Sequence, residues 1–273
     1  MAAEQCYSVR CARGSVPADL LDVDAVLARD ETRILQSGAR TTIGAVTHDG
    51  AELVLKRFHE HTWARVLETM ALGSGAARAW RGAARLADAG FEPPAIVAVL
   101  ERRRLGVPLW SCAVAQYVPG PSLDALWRTC AGGARRRLTI AFADWVRCLH
   151  GAGIYPQDLR GANVLVPSED PPRFVLVDVD RVRRYRRLSW RRRRKNLVQV
   201  QRSLGRAASL RDRVRFLRCY LSAAPAPLAS PSPARGRGAV RRVGSEILRH
   251  ADVKDAEYAR RRTAAAAARA RSG

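Results

Sequence analysis

The stretch from 154 to 181, IYPQDLRGANVLVPSEDPPRFVLVDVDR, limits the folds open to this chain more than any other. Its segments NVLV and RFVLVDV read as short apolar strands bounded by turn residues, with PSEDPP between them. A hairpin closes on itself. It therefore gathers at one end Asp158 and Asn163, from the loop before it, and Asp178, from the chain that leaves it. Taken singly, Asp and Asn are ordinary turn residues whose side chains bond nearby backbone. Taken together, they offer a carboxylate that orients a hydroxyl and accepts its proton, plus a second carboxylate and an amide oxygen as hard ligands for Mg²⁺ on nucleotide phosphates.

The chain before this stretch reads as a small sheet. Alternating runs at 43–47 and 52–58 flank Asp49-Gly50, a hairpin signal, and a further strand is expected over 33–36. Between the first strands lies SGARTTIG, with Gly38 and Gly44; it lacks a full G-x-G-x-x-G, and alone it reads as a surface turn. Lys56 ends the strand LVLK, where it balances phosphate charge or simply snorkels at a strand edge. A helix is expected over 74–90, ending at Gly90, and more strands up to Pro119-Gly120-Pro121, giving a sheet with one helix that ends near 118. Beyond the break, Ser122 is placed to cap a short helix. Leu138, Phe142, Val146 and Leu149 then form the apolar stripe of a longer one that stops at Gly151 and Gly153.

In this order and spacing the residues resemble the protein-kinase-like superfamily: Asp158-Leu159 and Asn163 match the catalytic loop D-L-x-x-x-N, Asp178 the metal-binding aspartate, Lys56 the nucleotide lysine, and AQYVPGPSL the hinge. Within it, GIY..DLRGANVLV, LVDVDRVR and the basic segment after them look like the bacterial lipopolysaccharide core kinases, which act on heptose or Kdo sugars; the resemblance covers about residues 32–221. It implies an α+β, two-lobed protein-kinase-like fold, with an antiparallel-sheet N-lobe over 1–118 and a short, mainly helical C-lobe over 119–221. It also implies ATP as cofactor with Mg²⁺, or Mn²⁺ in its place. Asp158 becomes the base or hydroxyl orienter and Arg160 a contact of the transferred phosphate, while Asn163 and Asp178 take the metal and Lys56 the α/β-phosphates. Gly38 and Gly44 would cover the phosphates, and the backbones of Gln116 and Val118 would meet the adenine.

The pattern departs from the superfamily at three places. His-Arg-Asp reads Pro156-Gln157-Asp158, which removes the usual brace of the loop. Asp-Phe-Gly reads Asp178-Val179-Asp180, where the second acid takes a metal or pairs with an arginine. The glutamate that would hold Lys56 falls near Ala79, leaving Glu68 or Asp88 as substitutes. These departures motivate the alternatives of a kinase-like pseudoenzyme or scaffold that binds anionic lipid, or another small-molecule or protein kinase.

The residues after Asp178 narrow the acceptor. No Ala-Pro-Glu motif is visible before SAAPAPLASPSPARGRG, so a non-peptide acceptor such as a sugar is expected. The formal charge of +23 is almost all arginine, since Lys56, Lys195 and Lys254 are the only lysines. The run RVRRYRRLSWRRRRKN over 181–196 reads as a basic helix packing through Leu188, Leu197, Val200 and Leu204. A cationic face there suits an anionic glycolipid acceptor and a peripheral seat on an anionic membrane surface, where each nearby basic side chain contributes on the order of 1 kcal/mol; it also fits a merely solvated helix. No reader motif supports specific nucleic-acid binding. The six scattered cysteines form no C-x-x-C pair and are expected as thiols, and no stretch reaches the ~18 apolar residues of a membrane span. A cytoplasmic protein, peripheral at the inner membrane face, is the expectation. Residues 222–273 read as a Pro/Ala/Arg-rich disordered linker and a helical tail that Ser245 would cap.

Overall fold

A computed structural model describes residues 7–11, 18–59, 63–104, 107–205, 208–222 and 237–271. The chain forms two compact units, one of residues 1–119 with 175–183, the other of 120–174 with 184–273. Much of the Pro/Ala/Ser-rich segment and the last residues of the tail lie outside the described residues.

In the first unit the elements run β1 (Tyr7–Cys11), α1 (Val23–Leu27), β2 (Arg33–Ser37), β3 (Thr41–His48), β4 (Ala51–His59), α2 (Trp63–Leu72), α3 (Gly75–Ala87), β5 (Ile96–Arg104) and β6 (Val107–Gln116). Six strands make one sheet in the order β1-β5-β6-β4-β3-β2, and its pairings are antiparallel. Asp49 and Gly50 both carry positive φ, 48° and 75°, as the two-residue hairpin turn between β3 and β4 requires. Side chains alternate across a strand, so Leu53 and Leu55 of β4 join a buried cluster with Val23 and Val26 of α1 and Val46, Leu100 and Val114 of the sheet. Lys56 and Phe58 turn to the opposite face, where α3 packs. The approach there is so close that a Cβ on Gly75 would lie 2.4 Å from the Phe58 ring.

Helix α3 starts at Ser74, whose hydroxyl accepts from the Ala77 amide at 3.1 Å and donates to buried Glu101. Arg103 donates to the other Glu101 oxygen at 3.0 Å, and Ser111 accepts from the Ala76 amide at 3.2 Å. This polar cluster fixes the N-terminal turn of α3 to β5 and β6. The sequence reading of one helix in this unit is corrected by α1 and α2.

The second unit contains α4 (Leu123–Thr129), α5 (Gly132–Gly151), β7 (Ile154–Pro156), β8 (Val164–Glu169) and the first residues of β9 (Pro172–Leu176), with β8 and β9 paired as a hairpin. After β10 (Val182–Arg184) follow α6 (Trp190–Leu204), α7 (Leu210–Ser222) and α8 (Arg237–Arg271). Phe142 of α5 is the hub of an aromatic core, with ring centroids 5.4 Å from Phe174, 5.7 Å from Phe216 and 5.8 Å from Trp145, spacings at which aromatic pairs add to simple area burial. Leu188, Leu197, Val200 and Leu204 are buried.

The basic segment is helical only from Trp190, and not all of it faces water. Arg192 stacks on Tyr185 at 4.1 Å, Arg193 donates to the Leu188 carbonyl at 3.1 Å, and Arg194 pairs with Glu246 of α8, as Arg202 further along α6 does with Asp255. Helix α8 packs here through buried Val243, Ile247 and Ala251, a spacing of one face per turn. Ser245 lies inside this helix and does not cap it. Ser122 does sit at the N-cap of α4, but its hydroxyl bonds Asp124 at 2.7 Å and makes no cap bond. Cys112, Cys130, Cys148 and Cys219 are free thiols. Among the described residues no helix is long and apolar enough to cross a membrane.

Candidate functional site

The first unit holds a cluster built around Lys56. Its ammonium, with 17% of the side chain exposed, donates to Asp178 and, at 3.2 Å, to Asp180, and it lies 5.1 Å from the centroid of the Phe58 ring. Burial alone would pull the Lys56 pKa down, but Asp180 and Asp178 outweigh it and hold the group above its usual value. Burial pushes both carboxyls up. At Asp178 the ammonium wins and the pKa falls below the ordinary range. At Asp180 burial and the Asp178 charge prevail, and it rises. Glu68 and Asp88 play no part: Glu68 lies 4.0 Å from Arg78, and Asp88 is the C-cap of α3.

Helix α3 shapes this cluster with small residues. Ala79 is 3% exposed, and a Cβ added to Gly82 would lie 1.9 Å from the carbonyl oxygen of Val179, the residue between the two aspartates. The helix thus lies against the Asp-Val-Asp backbone where a longer side chain would not fit. The partners of Lys56 come instead from the chain that leaves β9.

The two carboxylates against one ammonium leave a negative charge over in a largely buried place. Among the described residues no three His, Cys, Asp or Glu side chains cluster to hold a metal by themselves. The arrangement fits a cation that keeps most of its shell as water or phosphate oxygen, the habit of Mg²⁺.

Other residues named from the sequence in this unit are less specific. The Gly38 amide closes the β2–β3 turn on the Thr41 carbonyl at 3.1 Å. A Cβ on Gly44 would sit 2.6 Å from Leu27 and 2.9 Å from Thr32, so packing against α1 accounts for that glycine. The Gln116 amide is engaged by the Ala95 carbonyl at 2.9 Å, which leaves only its other groups for a ligand, and Val118 is half-buried just past β6.

The second unit holds Asp158, Arg160 and Asn163 in one tight loop. Asn163 donates Nδ2 to the Asp158 carbonyl at 3.0 Å and to its carboxylate at 3.4 Å, and Arg160 pairs with the same carboxylate. Asp158 keeps 28% of its side chain exposed and Arg160 56%. A carboxylate fixed from two sides yet open on a third can receive a hydroxyl proton.

This loop is braced from α6 by side chains that sequence reasoning missed. Asn196, fully buried, donates to the Pro156 carbonyl at 2.7 Å and to Gln199 Oε1 at 2.8 Å. Gln199 donates to the Gln157 carbonyl at 2.8 Å and accepts from the Leu159 amide at 3.3 Å. Ser203 accepts from the Gly161 amide at 3.0 Å. Behind them His150, 1% exposed, joins Asn196 Oδ1 at 3.1 Å through Nε2 and the Tyr220 hydroxyl at 2.7 Å through Nδ1. Because Asn196 spends its NH₂ on Pro156, its oxygen faces His150, whose proton is therefore on Nε2 and whose Nδ1 accepts from Tyr220. Burial holds His150 neutral, with a pKa of about 3. The only signal in the sequence was the polar trio at 196, 199 and 203, one helical face inside an arginine-rich run.

Comparison with known proteins adds three findings. The family model of the lipopolysaccharide kinase (Kdo/WaaP) family matches residues 26–220. A curated relative, the serine/threonine-protein kinase AfsK of Streptomyces coelicolor, is 39% identical over 75 residues, 26% of this chain; the match spans 9% of that protein. Among solved structures, WaaP in complex with acyl carrier protein superposes with a TM-score of 0.61 at 22% identity, covering 86% of this chain and 91% of that one. The likeness extends the kinase-like α+β fold to most of the chain.

Proposed function

The chain belongs to the lipopolysaccharide kinase (Kdo/WaaP) family, and from that premise we propose that it transfers the γ-phosphoryl group of ATP to a sugar hydroxyl of an anionic glycolipid of the lipopolysaccharide-core type. The observation that carries this reading is the Lys56 cluster, where an ammonium on a sheet strand is kept charged by Asp178 and Asp180. Phosphoryl transfer asks a protein chiefly for positioning and charge stabilisation, and Lys56 serves it by exchanging part of its carboxylate contacts for the α/β-phosphates. Asp158 orients the acceptor hydroxyl and takes its proton, and Arg160 releases that carboxylate to meet the transferred phosphate. Asn163 and Asp178 are the residues that would hold Mg²⁺, which when bound supplies neutralisation of phosphate charge. The exposed Arg186, Arg191 and Lys195, and a groove of about 640 Å³ between α5 and α7 where Arg136, Arg211, Arg215 and Arg218 alternate with apolar side chains such as Ile140 and Val214, support an anionic acceptor or a peripheral seat on an anionic membrane.

The test is nucleotide turnover with lipopolysaccharide core acceptors, comparing the parent protein with Asp158→Asn and Asp178→Ala. Both variants are expected to fold and to lose turnover; activity surviving in either would overturn the role assigned to that residue. A nucleotide-free scaffold, the competing reading, would show no thermal shift with magnesium and ATP.

A further inference from the structure

We propose that Gln199, with Asn196 and Ser203 beside it on α6, is a positioning residue that holds the Asp158 loop in its reactive shape, doing from a distant helix what the side chain of the loop's own Pro156 cannot. The inference rests on the reading of Asp158 as the hydroxyl-orienting carboxylate and adds to it a means of fixing that residue in space.

The brace acts on the loop's backbone. Pro156 has no N–H and its side chain no polar group, so it can brace nothing except through its carbonyl. That carbonyl receives Asn196 Nδ2 at 2.7 Å. One residue on, the Gln157 carbonyl receives Gln199 Nε2 at 2.8 Å, and across Asp158 the Leu159 amide gives its proton to Gln199 Oε1 at 3.3 Å. One side-chain amide thus grips the backbone on both sides of Asp158. Beyond it, Ser203 receives the Gly161 amide at 3.0 Å. Residues 196, 199 and 203 recur at the three- and four-residue spacing that puts side chains on one helix face, so a single helix holds the loop backbone at Pro156, Gln157, Leu159 and Gly161.

Gln199 is itself held. Its Oε1 receives Asn196 Nδ2 at 2.8 Å, and Asn196 is locked through buried His150 to Tyr220 of α7. A side chain fixed at both ends has few rotamers to lose, and displacement of a reacting group by about 1 Å costs on the order of a hundredfold in rate. Gln201, two residues on, is a fitting comparison: it is equally a glutamine of α6, is fully buried, and finds no hydrogen-bond partner among the described residues for either amide atom.

The experiment replaces Gln199 by Met, which keeps length and bulk but removes its two bonds to the loop backbone and the one it accepts from Asn196, and makes Gln201→Met as the matched control. Backbone amide hydrogen exchange is followed at Leu159, alongside melting temperature, kcat and the KM for ATP. The expected result for Gln199→Met is faster exchange at Leu159, a kcat lower by about tenfold or more, and a KM for ATP within about twofold of the parent, whereas Gln201→Met keeps the parent's kcat. Faster exchange with unchanged kcat would overturn the inference while leaving the kinase reading standing. A kcat loss matched in Gln201→Met, or a loss with no change at Leu159, would overturn it as a general softening of the helix. If the parent protein turns over no nucleotide with any acceptor, the kinase reading fails and the catalytic role of Gln199 fails with it, while the exchange result still reports on the brace.

Discussion

A single methyl group at position 82 tests whether the backbone between the two aspartates is set by α3. In Gly82→Ala the new Cβ would lie 1.9 Å from the Val179 carbonyl oxygen, so reaching the 3.4 Å of an ordinary contact asks for a displacement of about 1.5 Å, shared between helix and segment. Overpacking of this kind costs typically 1–3 kcal/mol, while the helix gains about 1 kcal/mol from replacing glycine in its interior. The net loss in stability is then ~0–2 kcal/mol, a fall in melting temperature of a few degrees for a chain of this size. Activity is hit harder. Val179 separates Asp178 from Asp180, and moving either carboxylate by about 1 Å at Lys56 should lower kcat/KM on the order of a hundredfold. Thermal melts and nucleotide turnover, measured together, separate the two effects. Gly151→Ala, at a helical glycine with nothing within 4 Å, should lower neither. A Gly82→Ala protein that melts like the parent and keeps its kcat/KM would refute the idea that this contact sets the Asp-Val-Asp backbone.

Asp180→Asn should lower turnover by roughly ten- to a hundredfold, because Lys56 loses one of its two carboxylates, whereas Glu68→Ala and Asp88→Ala, which do not touch Lys56, should leave it unchanged; steady-state kinetics of the three variants decides. Stability should decline with acidification in the window from pH 6.5 down to about 3, since the unfolded chain protonates His150 there and the native one does not; the slope is up to ~1.4 kcal/mol per pH unit, and urea midpoints of His150→Phe should fall less steeply than the parent's. Phe216→Ala should cost ~3–5 kcal/mol by opening a cavity in the aromatic core of the second unit, read from urea denaturation. Gln201→Met should raise stability, since it removes a buried amide without partners among the described residues, a burden of ~1–3 kcal/mol.

Much of this fold is legible because the sequence marks it locally. The Asp49-Gly50 turn, the stripe through Leu138 and Phe142, and the β8–β9 hairpin each carry their signal within a few residues. Helix α1 could not be read, because five residues hold too little periodicity and a helix that short exists only through the burial of Val23 and Val26. Asp180 is ambiguous in the sequence, and only the closeness of α3 at Gly82 explains why it, and not a helix glutamate, meets Lys56. The brace from α6 is hidden for another reason. Its three polar residues bond backbone carbonyls and amides some forty positions earlier, and backbone groups have no sequence identity for a pattern to match.

Helix α8 bears on how the protein is cut for experiments. The family match stops at residue 220, and a fragment trimmed to that border would look like a tidy minimal enzyme. It would also strip Val243, Ile247 and Ala251 from the helix that carries Asn196 and Gln199, and leave Arg194 and Arg202 without Glu246 and Asp255. The border of the shared family region is therefore not the border of the folding unit, and inactivity in such a fragment would report on the surgery and not on the chemistry.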